Sequence, residues 1–340
     1  MAKAEAIAID AGGREVRLSN PRKLYFAEAE PAVSKRELAE YYVTVADAVL
    51  IHLRERPTTL KRFVDGAGGD FFFQKRIPNG APEWLESASV HFPSGRSARE
   101  LCANDAAHLV WAVNLGVIDF NPWPCRREDL DCPDELRVDL DPTPEASWND
   151  VREVALVVRD VLTDHDLRGF PKTSGNRGIH VNVRLRPEWG FDDVRRSALA
   201  LAREVERRVP EQATSKWWKE ERHGVFVDYN QNARDRTVAS AWSVRPTADA
   251  RVSMPLSWEQ VPAVNPADYT LVTVPPLLAR DGDPHAAIDR APGSLAGLLA
   301  LAQRDEEEGL GDAPWPPNFA KQPGEGKRVQ PSRARKPPAG

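Results

Sequence analysis

The stretch that most constrains the fold is 135–142, with the sequence ELRVDLDP. Its apolar residues at positions 136, 138 and 140 alternate with polar ones, and this two-residue period predicts a buried β-strand. Asp139 and Asp141 therefore lie on one face of the strand, and Pro142 ends it. Two adjacent carboxylates repel each other unless a cation lies between them, and a hard divalent ion binds such oxygens together with substrate phosphates. Taken alone, the pair is also what a solvent-facing strand end carries.

Length and charge narrow the class of protein. A chain of 340 residues predicts one large domain or two fused subdomains. It contains no apolar run long enough for a membrane span, and its first residues lack the apolar segment of a signal peptide. Cys102, Cys125 and Cys132 form no C-x-x-C pair, which predicts a reduced, cytoplasmic protein. A net charge of −5 argues against indiscriminate coating of nucleic acid but allows a local basic groove.

A helix is predicted to begin after Ser34, because Ser34 and Glu37 have the spacing of a capping box. Lys35 lies in its first turn, where the helix dipole disfavours a cation. A bound phosphate there would use both the free backbone N–H groups and this lysine, although a solvated lysine is the simpler explanation of the local sequence. Further helices are predicted over 104–115, 147–163 and 192–209.

Aromatic and basic residues cluster in the first quarter of the chain. The consecutive aromatics Phe71–Phe73 cannot all point into one core, because successive side chains of a strand alternate between its faces. Lys61, Arg62, Lys75 and Arg76 flank them. This composition fits a platform on which bases stack, with cations that neutralise phosphates. Packing of the rings in a buried strand explains the pattern equally well.

The segment 172–183, KTSGNRGIHVNV, contains a second set of polar residues. Its glycine-punctuated turn offers backbone N–H groups and the Ser174 hydroxyl to an anion, and Arg177 adds a permanent positive charge. The strand that follows alternates apolar and polar residues, so His180 and Asn182 share a face. Glycine turns occur in many hairpins, so this motif alone does not indicate a binding site. It indicates one only in combination with the carboxylates.

Two later segments each lead to a charged residue. The apolar strand predicted from Val225 ends at Asp228, which repeats the pattern of Asp139. A further strand, predicted over 238–244, leads to Arg245. Three acids at strand ends, with a phosphate-binding turn between them in sequence, match two-metal nucleotidyl transfer. One ion would activate a primer 3′-hydroxyl, and the other would hold the triphosphate and neutralise the leaving pyrophosphate.

Four ordered motifs resemble those of the polymerase domain of bacterial ligase D, in the archaeo-eukaryotic primase superfamily. They are Asp139-Leu-Asp141-Pro, Ser174-Gly-Asn-Arg-Gly-Ile-His180, Val225-Phe-Val-Asp228-Tyr-Asn-Gln-Asn and Ser243-Val-Arg245. The resemblance covers about residues 15–285. It implies an α+β, primase-type fold with an RRM-like palm, in which two mainly antiparallel sheets are flanked by helices. It also implies addition of nucleotides (NTP or dNTP, preferentially ribonucleotides) with two Mn²⁺ or Mg²⁺ ions, in gap filling or end-joining DNA repair.

The resemblance implies a role for each matching position. The catalytic, metal-binding carboxylates would be Asp139, Asp141 and Asp228. The nucleotide contacts would be Ser174, Arg177, His180, Arg245 and Gln231. The DNA contacts would be Phe72 and Phe73, stacked on the template near the gap. The basic residues that flank these aromatics add Arg62 and Lys75 as expected DNA contacts. Lys35 matches a lysine of a pocket for a downstream 5′-phosphate, with either Arg22 or Lys23 as its partner.

The sequence departs from the family pattern at two positions. Arg177 stands where the family usually has lysine, which keeps the charge but changes its shape. Asn121 stands where the family commonly has a histidine close to the nucleotide. Nucleotide selectivity is therefore expected to differ from that of the family.

A domain organisation follows from the resemblance and from composition. We expect a catalytic domain over 1–290, with an N-terminal α/β part (about 1–125), a palm-like part (about 126–250) and a wrapping segment (about 251–290). A short helix and an acidic connector follow over 291–312. A basic, proline-rich tail over 313–340 is predicted to be disordered, and its charge suggests auxiliary contact with DNA.

The predicted partners follow from the same resemblance. They are gapped or 5′-phosphorylated double-stranded DNA ends, a separate DNA ligase, and an end-binding protein such as Ku. No ligase motif or nuclease domain accompanies the polymerase motifs, so we expect a stand-alone, monomeric enzyme near the nucleoid. Two other functions remain open. One is a DNA-end-binding or synapsis module with a weak active site, and the other is a metal-dependent nuclease that uses the same acids.

Overall fold

The computed structural model describes residues 5–92, 94–317 and 319. Within them, two five-stranded sheets, two two-stranded sheets and seven α-helices form an α+β fold, as predicted. The helices are α1 (Lys35–Thr44), α2 (Ala46–Leu53), α3 (Ala106–Asn114), α4 (Trp148–Asp164), α5 (Phe191–Arg208), α6 (Val274–Asp281) and α7 (Ala296–Glu307). The strands are β1 (Ala6–Asp10), β2 (Glu15–Ser19), β3 (Leu24–Phe26), β4 (Val33–Ser34), β5 (Pro57–Arg62), β6 (Phe72–Gln74), β7 (Ser87–His91), β8 (Ser97–Cys102), β9 (Val117–Pro122), β10 (Glu135–Pro142), β11 (Gly169–Thr173), β12 (Ile179–Arg184), β13 (Ala213–Thr214) and β14 (Val225–Asp228). Among the described helices, none has the length and apolarity that a membrane span requires.

The sheet that carries β10 has the strand order β11-β12-β10-β14-β13. Its pairs are antiparallel except for β13 and β14. The register sets Asp139 opposite His180 on one side and opposite Asp228 on the other. Lys172 of β11 lies opposite His180 in turn. Because directly paired residues point to the same face of a sheet, these four side chains form one row across four strands.

The other face of this sheet is covered by helices α4 and α5. The apolar residues of β10 that alternate with the acids, Leu136, Val138 and Leu140, are buried there. Helix α4 meets them with Val151, Val154 and other buried residues at the three- and four-residue spacing of an amphipathic helix. Burial of this face therefore fixes the register of β10 and directs its acids to the opposite side.

The second five-stranded sheet is built on β5, which pairs with β6, β8 and β9. Strand β6 lies at the edge of this sheet, beyond β5. An edge strand with solvent on its face leaves its side chains uncovered, and Phe72 and Phe73 are 45% and 55% exposed. The alternative of a buried aromatic strand is therefore wrong.

The predicted helix starts are confirmed, because their caps are formed. Ser34 and Glu37 exchange both hydrogen bonds of a capping box at α1, and Ser147 and Asp150 do so at α4. The Asp105 side chain caps α3 by accepting from the N–H of His108. The three helices predicted over 104–115, 147–163 and 192–209 correspond to α3, α4 and α5.

The strand predicted over 238–244 is wrong. The segment is buried, but Trp242 has a φ of 63°, which breaks the extended backbone. The chain instead makes separate bonds to different partners, from the N–H of Ser240 to the Phe120 carbonyl and from that of Trp242 to the Ser253 carbonyl. An isolated bridge at Val244 is all that remains of the predicted pairing within the described residues.

The folded part extends beyond residue 313, where the disordered tail was predicted to begin. Trp315 is only 7% exposed, and the Arg195 guanidinium of α5 lies 4.0 Å from its ring centroid. Arg195 also donates to a carboxylate oxygen of Asp312 at 2.8 Å and to the carbonyl of Ala313 at 2.8 Å. The aromatic ring and these acceptors hold the segment against α5. Most of the predicted tail, from residue 320 onward, lies outside the described residues.

Candidate active site

The three predicted metal carboxylates lie together at the end of the row. Oxygens of Asp139, Asp141 and Asp228 all lie within 4.8 Å of one another. Asp139 and Asp228 are buried, whereas Asp141, the last acid of β10, is exposed. Asp228 also accepts hydrogen bonds from the N–H of Asn230 at 2.8 Å and from Nε2 of Gln231 at 3.2 Å.

Burial raises the pKa of all three carboxyls, and repulsion from the neighbouring acids adds to this at Asp141 and Asp228. Burial raises the pKa of Asp139 to about 6. The charge of Asp139, followed by burial, raises the pKa of Asp141 to about 7. Burial, followed by the charges of Asp139 and Asp141, raises the pKa of Asp228 to about 7. A divalent cation would relieve this repulsion, and an all-oxygen ligand set suits Mg²⁺ or Mn²⁺. The residues therefore fit such ions.

The turn before β12 is closed by Ser174. Its hydroxyl oxygen accepts from the N–H of Asn176 at 3.1 Å and from the N–H of Gly178 at 3.0 Å. Gly175 has a φ of +71°, and a Cβ there would lie 2.3 Å from Cγ of Arg245. Only glycine therefore combines this backbone conformation with room for the arginine. The turn and Arg245 form one unit beside the carboxylates.

His180 and Lys172 continue the row away from the acids. Nε2 of His180 lies 3.2 Å from Oδ1 of Asp139, and its Nδ1 lies 2.8 Å from Nζ of Lys172. Lys172 is fully buried and also donates to Oγ of Ser253 at 2.7 Å. Burial, and then the charge of Lys172, holds the pKa of His180 well below its usual range. Burial, and then the charge of Arg245, lowers the pKa of Lys172 to about 7.

Arg245 is held by a buried acid of the second sheet. Its Nη1 lies 2.8 Å from Oδ2 of Asp119 in β9, and Asp119 is 1% exposed. Oγ of Ser243 lies 3.4 Å from the other oxygen of the same carboxylate. Asn121, two residues further along β9, is also buried, and its Nδ2 donates to the carbonyl of Asp119 at 3.3 Å. The two sheets therefore meet at this part of the site.

Arg177 is the most outward of the predicted nucleotide contacts. Its side chain is exposed, and Nη2 donates to the carbonyl of Thr143 at 3.2 Å, just beyond β10. Arg177 is thus exposed, whereas His180 is buried.

The exposed aromatics of β6 lie beside cations of β5. The Arg62 guanidinium is 5.0 Å from the ring centroid of Phe72, and Nζ of Lys61 is 4.1 Å from that of Phe71. Phe71 and Phe73 contact each other on one face, and Phe72 lies on Arg62. The predicted alternation of the three rings is therefore observed. Lys75 follows in the chain, and its ammonium pairs with Asp235.

The predicted pocket for a downstream phosphate centres on Lys35, the first residue of α1. Lys35 is 4% exposed, and its Nζ donates to the carbonyls of Ser19 at 3.0 Å and Asn114 at 2.8 Å. Burial, followed by the charges of Lys23 and Arg62, lowers the pKa of Lys35 to about 8. Lys23 and Arg62 are thus its charged neighbours, and Lys23 also pairs with Asp65 at 2.9 Å. Arg22 is 87% exposed at its side chain and pairs with Glu5.

Three residues beside the site escaped prediction from sequence. Lys172 and Asp119 belong to no recognisable motif, because each is a single charged residue in an apolar strand. A lone charge in an otherwise apolar strand was the clue that the sequence offered. Arg222 lies in a loop of mixed charge, and its guanidinium stacks 3.5 Å from the ring centroid of Phe226. Burial lowers the pKa of Arg222. The charges of Asp228 and Asp141 act in the opposite direction but do not outweigh it.

An antiparallel palm-like sheet, with three converging carboxylates beside a glycine turn, defines a nucleotidyltransferase of the primase–polymerase class. The family described as "LigD, primase-polymerase domain" matches residues 34–285. The chain belongs to this family, as the four motifs predict.

Relatives of known sequence and structure agree with this assignment. The multifunctional non-homologous end joining protein LigD of Pseudomonas aeruginosa is 34% identical over 280 residues, which are 81% of this chain and 33% of that protein. The LigD protein of Mycolicibacterium smegmatis is 30% identical over 72% of this chain and 32% of its own length. The chain thus spans about a third of the curated relatives that it matches. The polymerase domain of Mycobacterium tuberculosis ligase D, solved in complex with DNA, aligns with a TM-score of 0.75 and 29% identity, over 82% of this chain and 99% of that one.

Proposed function

We propose that the chain adds nucleotides, preferentially ribonucleotides, to a primer 3′-hydroxyl at gaps or broken ends of DNA during end-joining repair. The observation that carries this proposal is the convergence of Asp139, Asp141 and Asp228 within 4.8 Å, directly beside the Ser174 turn. Acids alone would also suit a nuclease. The adjacent turn, histidine and arginine give a triphosphate a place to bind, which a nuclease does not need.

The proposed work of each side chain follows from its position. Asp139, Asp141 and Asp228 would hold two Mn²⁺ or Mg²⁺ ions, which supply charge neutralisation and an activated hydroxyl nucleophile. The Ser174 hydroxyl, the turn N–H groups that do not donate to Ser174, and His180 Nε2 would bind phosphate oxygens. Arg245, held by Asp119, and the outward Arg177 would neutralise the charge that develops on the leaving pyrophosphate. Gln231 would act from the loop that follows Asp228.

The DNA would lie along the exposed part of the second sheet. We propose that Phe72 and Phe73 stack on the template, with Arg62 and Lys75 toward its phosphates. Lys23 is the better partner for Lys35 at a downstream 5′-phosphate, because it is a charged neighbour of Lys35 and Arg22 is not. Lys35 donates inward to backbone carbonyls, so we expect it to contribute charge more than a direct contact. The catalytic domain would end near residue 290.

The proposed function is tested with purified protein on a gapped duplex whose downstream strand carries a 5′-phosphate. We expect templated addition of one nucleotide or more, faster with Mn²⁺ than with Mg²⁺ and faster with NTP than with dNTP. The same duplex without a gap is the control. Tight end binding without addition would favour the synapsis module instead. Release of nucleotides from the DNA without added triphosphate would favour a nuclease.

Replacing both Phe72 and Phe73 by alanine is expected to weaken binding to the gapped duplex by at least about 30-fold, since two stacking rings are removed and base–aromatic stacking contributes about 1–3 kcal/mol per base. Fluorescence anisotropy with labelled DNA measures the change. Leu310→Ala is the matched control, because Leu310 is another exposed apolar side chain (41%) outside β6. Equal affinity of the double variant and the wild type would exclude the stacking role.

A further inference from the structure

A segment near the end of the described chain packs against the turn that follows Asp228. We call residues 310–315 the C-terminal strap, and the match to the family ends before it. The carbonyl of Pro314 in the strap accepts from Nδ2 of Asn230 at 3.0 Å. Asn230 lies two residues after Asp228 and is 3% exposed. The strap therefore contacts the turn beside a proposed metal ligand.

Arg195 of α5 joins the strap to this turn. It is 1% exposed, and its Nε donates to Oδ1 of Asn230 at 2.8 Å. Its two terminal nitrogens donate to Oδ1 of Asp312 and to the carbonyl of Ala313 in the strap, each at 2.8 Å. The other oxygen of Asp312 accepts from Nε1 of Trp315 at 2.7 Å. One buried guanidinium thus bonds to the turn and to the strap at the same time.

The turn orients the carboxylate of Asp228. Oδ1 accepts from the N–H of Asn230 at 2.8 Å, and Oδ2 accepts from Nε2 of Gln231 at 3.2 Å. One anchor of the turn is Asn232, whose amide accepts from the N–H of Arg137 in β10 and donates to its carbonyl, each at 2.8 Å. The other anchor is the amide of Asn230, and its partners lie in α5 and the strap. The strap therefore contributes a part of the positioning that β10 does not supply.

We infer that the strap, acting through Arg195 and Asn230, holds the Asp228 carboxylate in the orientation that binds a divalent cation. Arg195 and Asn230 are then positioning residues. The inference rests on the proposed function in one respect, since it takes the three acids as metal ligands. Groups that orient a metal ligand typically change metal affinity by about 10- to 100-fold when they are removed. Packing alone does not explain a buried arginine here, because apolar replacements of buried charged groups are often neutral or stabilising.

Asp312→Ala tests the inference without altering the turn itself. The side chain of Asp312 is 49% exposed, so its loss should leave the fold intact while it removes one acceptor of Arg195. We expect the dissociation constant for Mn²⁺ to rise about 3- to 10-fold, as for the loss of about one hydrogen bond. The EPR signal of free Mn²⁺ measures it in titrations of the full chain without DNA or nucleotide. Glu306→Ala is the matched control, because Glu306 is 54% exposed and pairs with Arg196, the next residue of α5, at 2.8 Å. It should bind Mn²⁺ as the wild type does.

A second variant locates the path between the strap and the metal centre. Asn230→Ala should weaken Mn²⁺ binding at least as much as Asp312→Ala, and the two losses should not add, because the strap acts through that amide. Thermal unfolding of the metal-free proteins separates this positioning from stability. A lowered unfolding temperature of Asp312→Ala with unchanged Mn²⁺ affinity would overturn the inference, and so would additive losses in the double variant.

Asp228→Asn shows whether the measured Mn²⁺ lies at the three acids. We expect this variant to lose most of the Mn²⁺ binding, and equal binding by the variant and the wild type would overturn the inference. A wild type that binds Mn²⁺ through Asp228 but adds no nucleotide would refute the proposed function. The Mn²⁺ titrations would then still decide the role of the strap.

Discussion

Asp139→Ala is expected to abolish nucleotide addition, lowering kcat by at least about 10³-fold, since the metal ions of such sites supply most of the charge stabilisation. Asp139 is the central group of the site. It lies between His180 and Asp228 in the register of the sheet, and it shares with Asp141 the face of β10 that points away from α4 and α5. Its loss would remove one of the three proposed metal ligands and the carboxylate that lies 3.2 Å from Nε2 of His180.

The measurement is single-turnover addition to the gapped duplex with saturating Mn²⁺ and nucleotide, together with anisotropy of the same DNA. We expect DNA affinity within about threefold of the wild type, because the aromatic platform lies on the other sheet. Asp160→Ala, an exposed acid of α4, is the matched control and should behave as the wild type. Addition by Asp139→Ala at the wild-type rate would contradict the two-metal mechanism.

The local structure of the site follows from sequence, but its neighbours do not. The alternation in 135–142 is enough to predict β10 and the shared face of its two acids, because a strand with one covered face has a fixed register. The order of strands in a sheet is not a local property. The contact between Asp139 and His180 depends on the pairing of β10 with β12. The local sequence does not determine that pairing, and only the family resemblance implied that the two residues share a site.

Residues that support the site from a neighbouring strand could not be predicted, for the same reason. Lys172 and Asp119 are single charges in apolar strands, and their roles depend on which strand lies beside them. Whether a side chain is exposed also depends on the position of its strand in the sheet, which the local sequence does not show. Three aromatics in a row do not reveal whether their strand is central or at an edge, and β6 proves to be at an edge. Lys35 shows the converse, since an apparently solvated lysine is buried by the ends of β2 and α3.

Asp141→Asn is expected to stabilise the metal-free protein at pH 8, the opposite of its effect on activity. The pKa values of Asp139, Asp141 and Asp228 are raised to about 6, 7 and 7 in the folded chain, against about 3.9 when unfolded. The folded state therefore binds more protons between about pH 4 and pH 7. These groups favour folding at low pH, and the contribution is lost as the pH rises through 7.

Thermal unfolding with and without Mn²⁺, at pH 5 and at pH 8, measures this effect. Two charges within 4.8 Å repel by about 1–3 kcal/mol near a protein surface, and solvent around the exposed Asp141 reduces the gain to about 1 kcal/mol. We expect Asp141→Asn to unfold at a higher temperature than the wild type at pH 8, and by a smaller margin at pH 5, where only part of the difference in bound protons has developed. Mn²⁺ should raise the unfolding temperature of the wild type at pH 8 and have little effect on the variant, because binding to the folded state alone stabilises it. Asp160→Asn is the control and should show neither change. A variant that is destabilised at pH 8, or that responds to Mn²⁺ as the wild type does, would show that Asp141 is not held against its neighbours as a metal ligand.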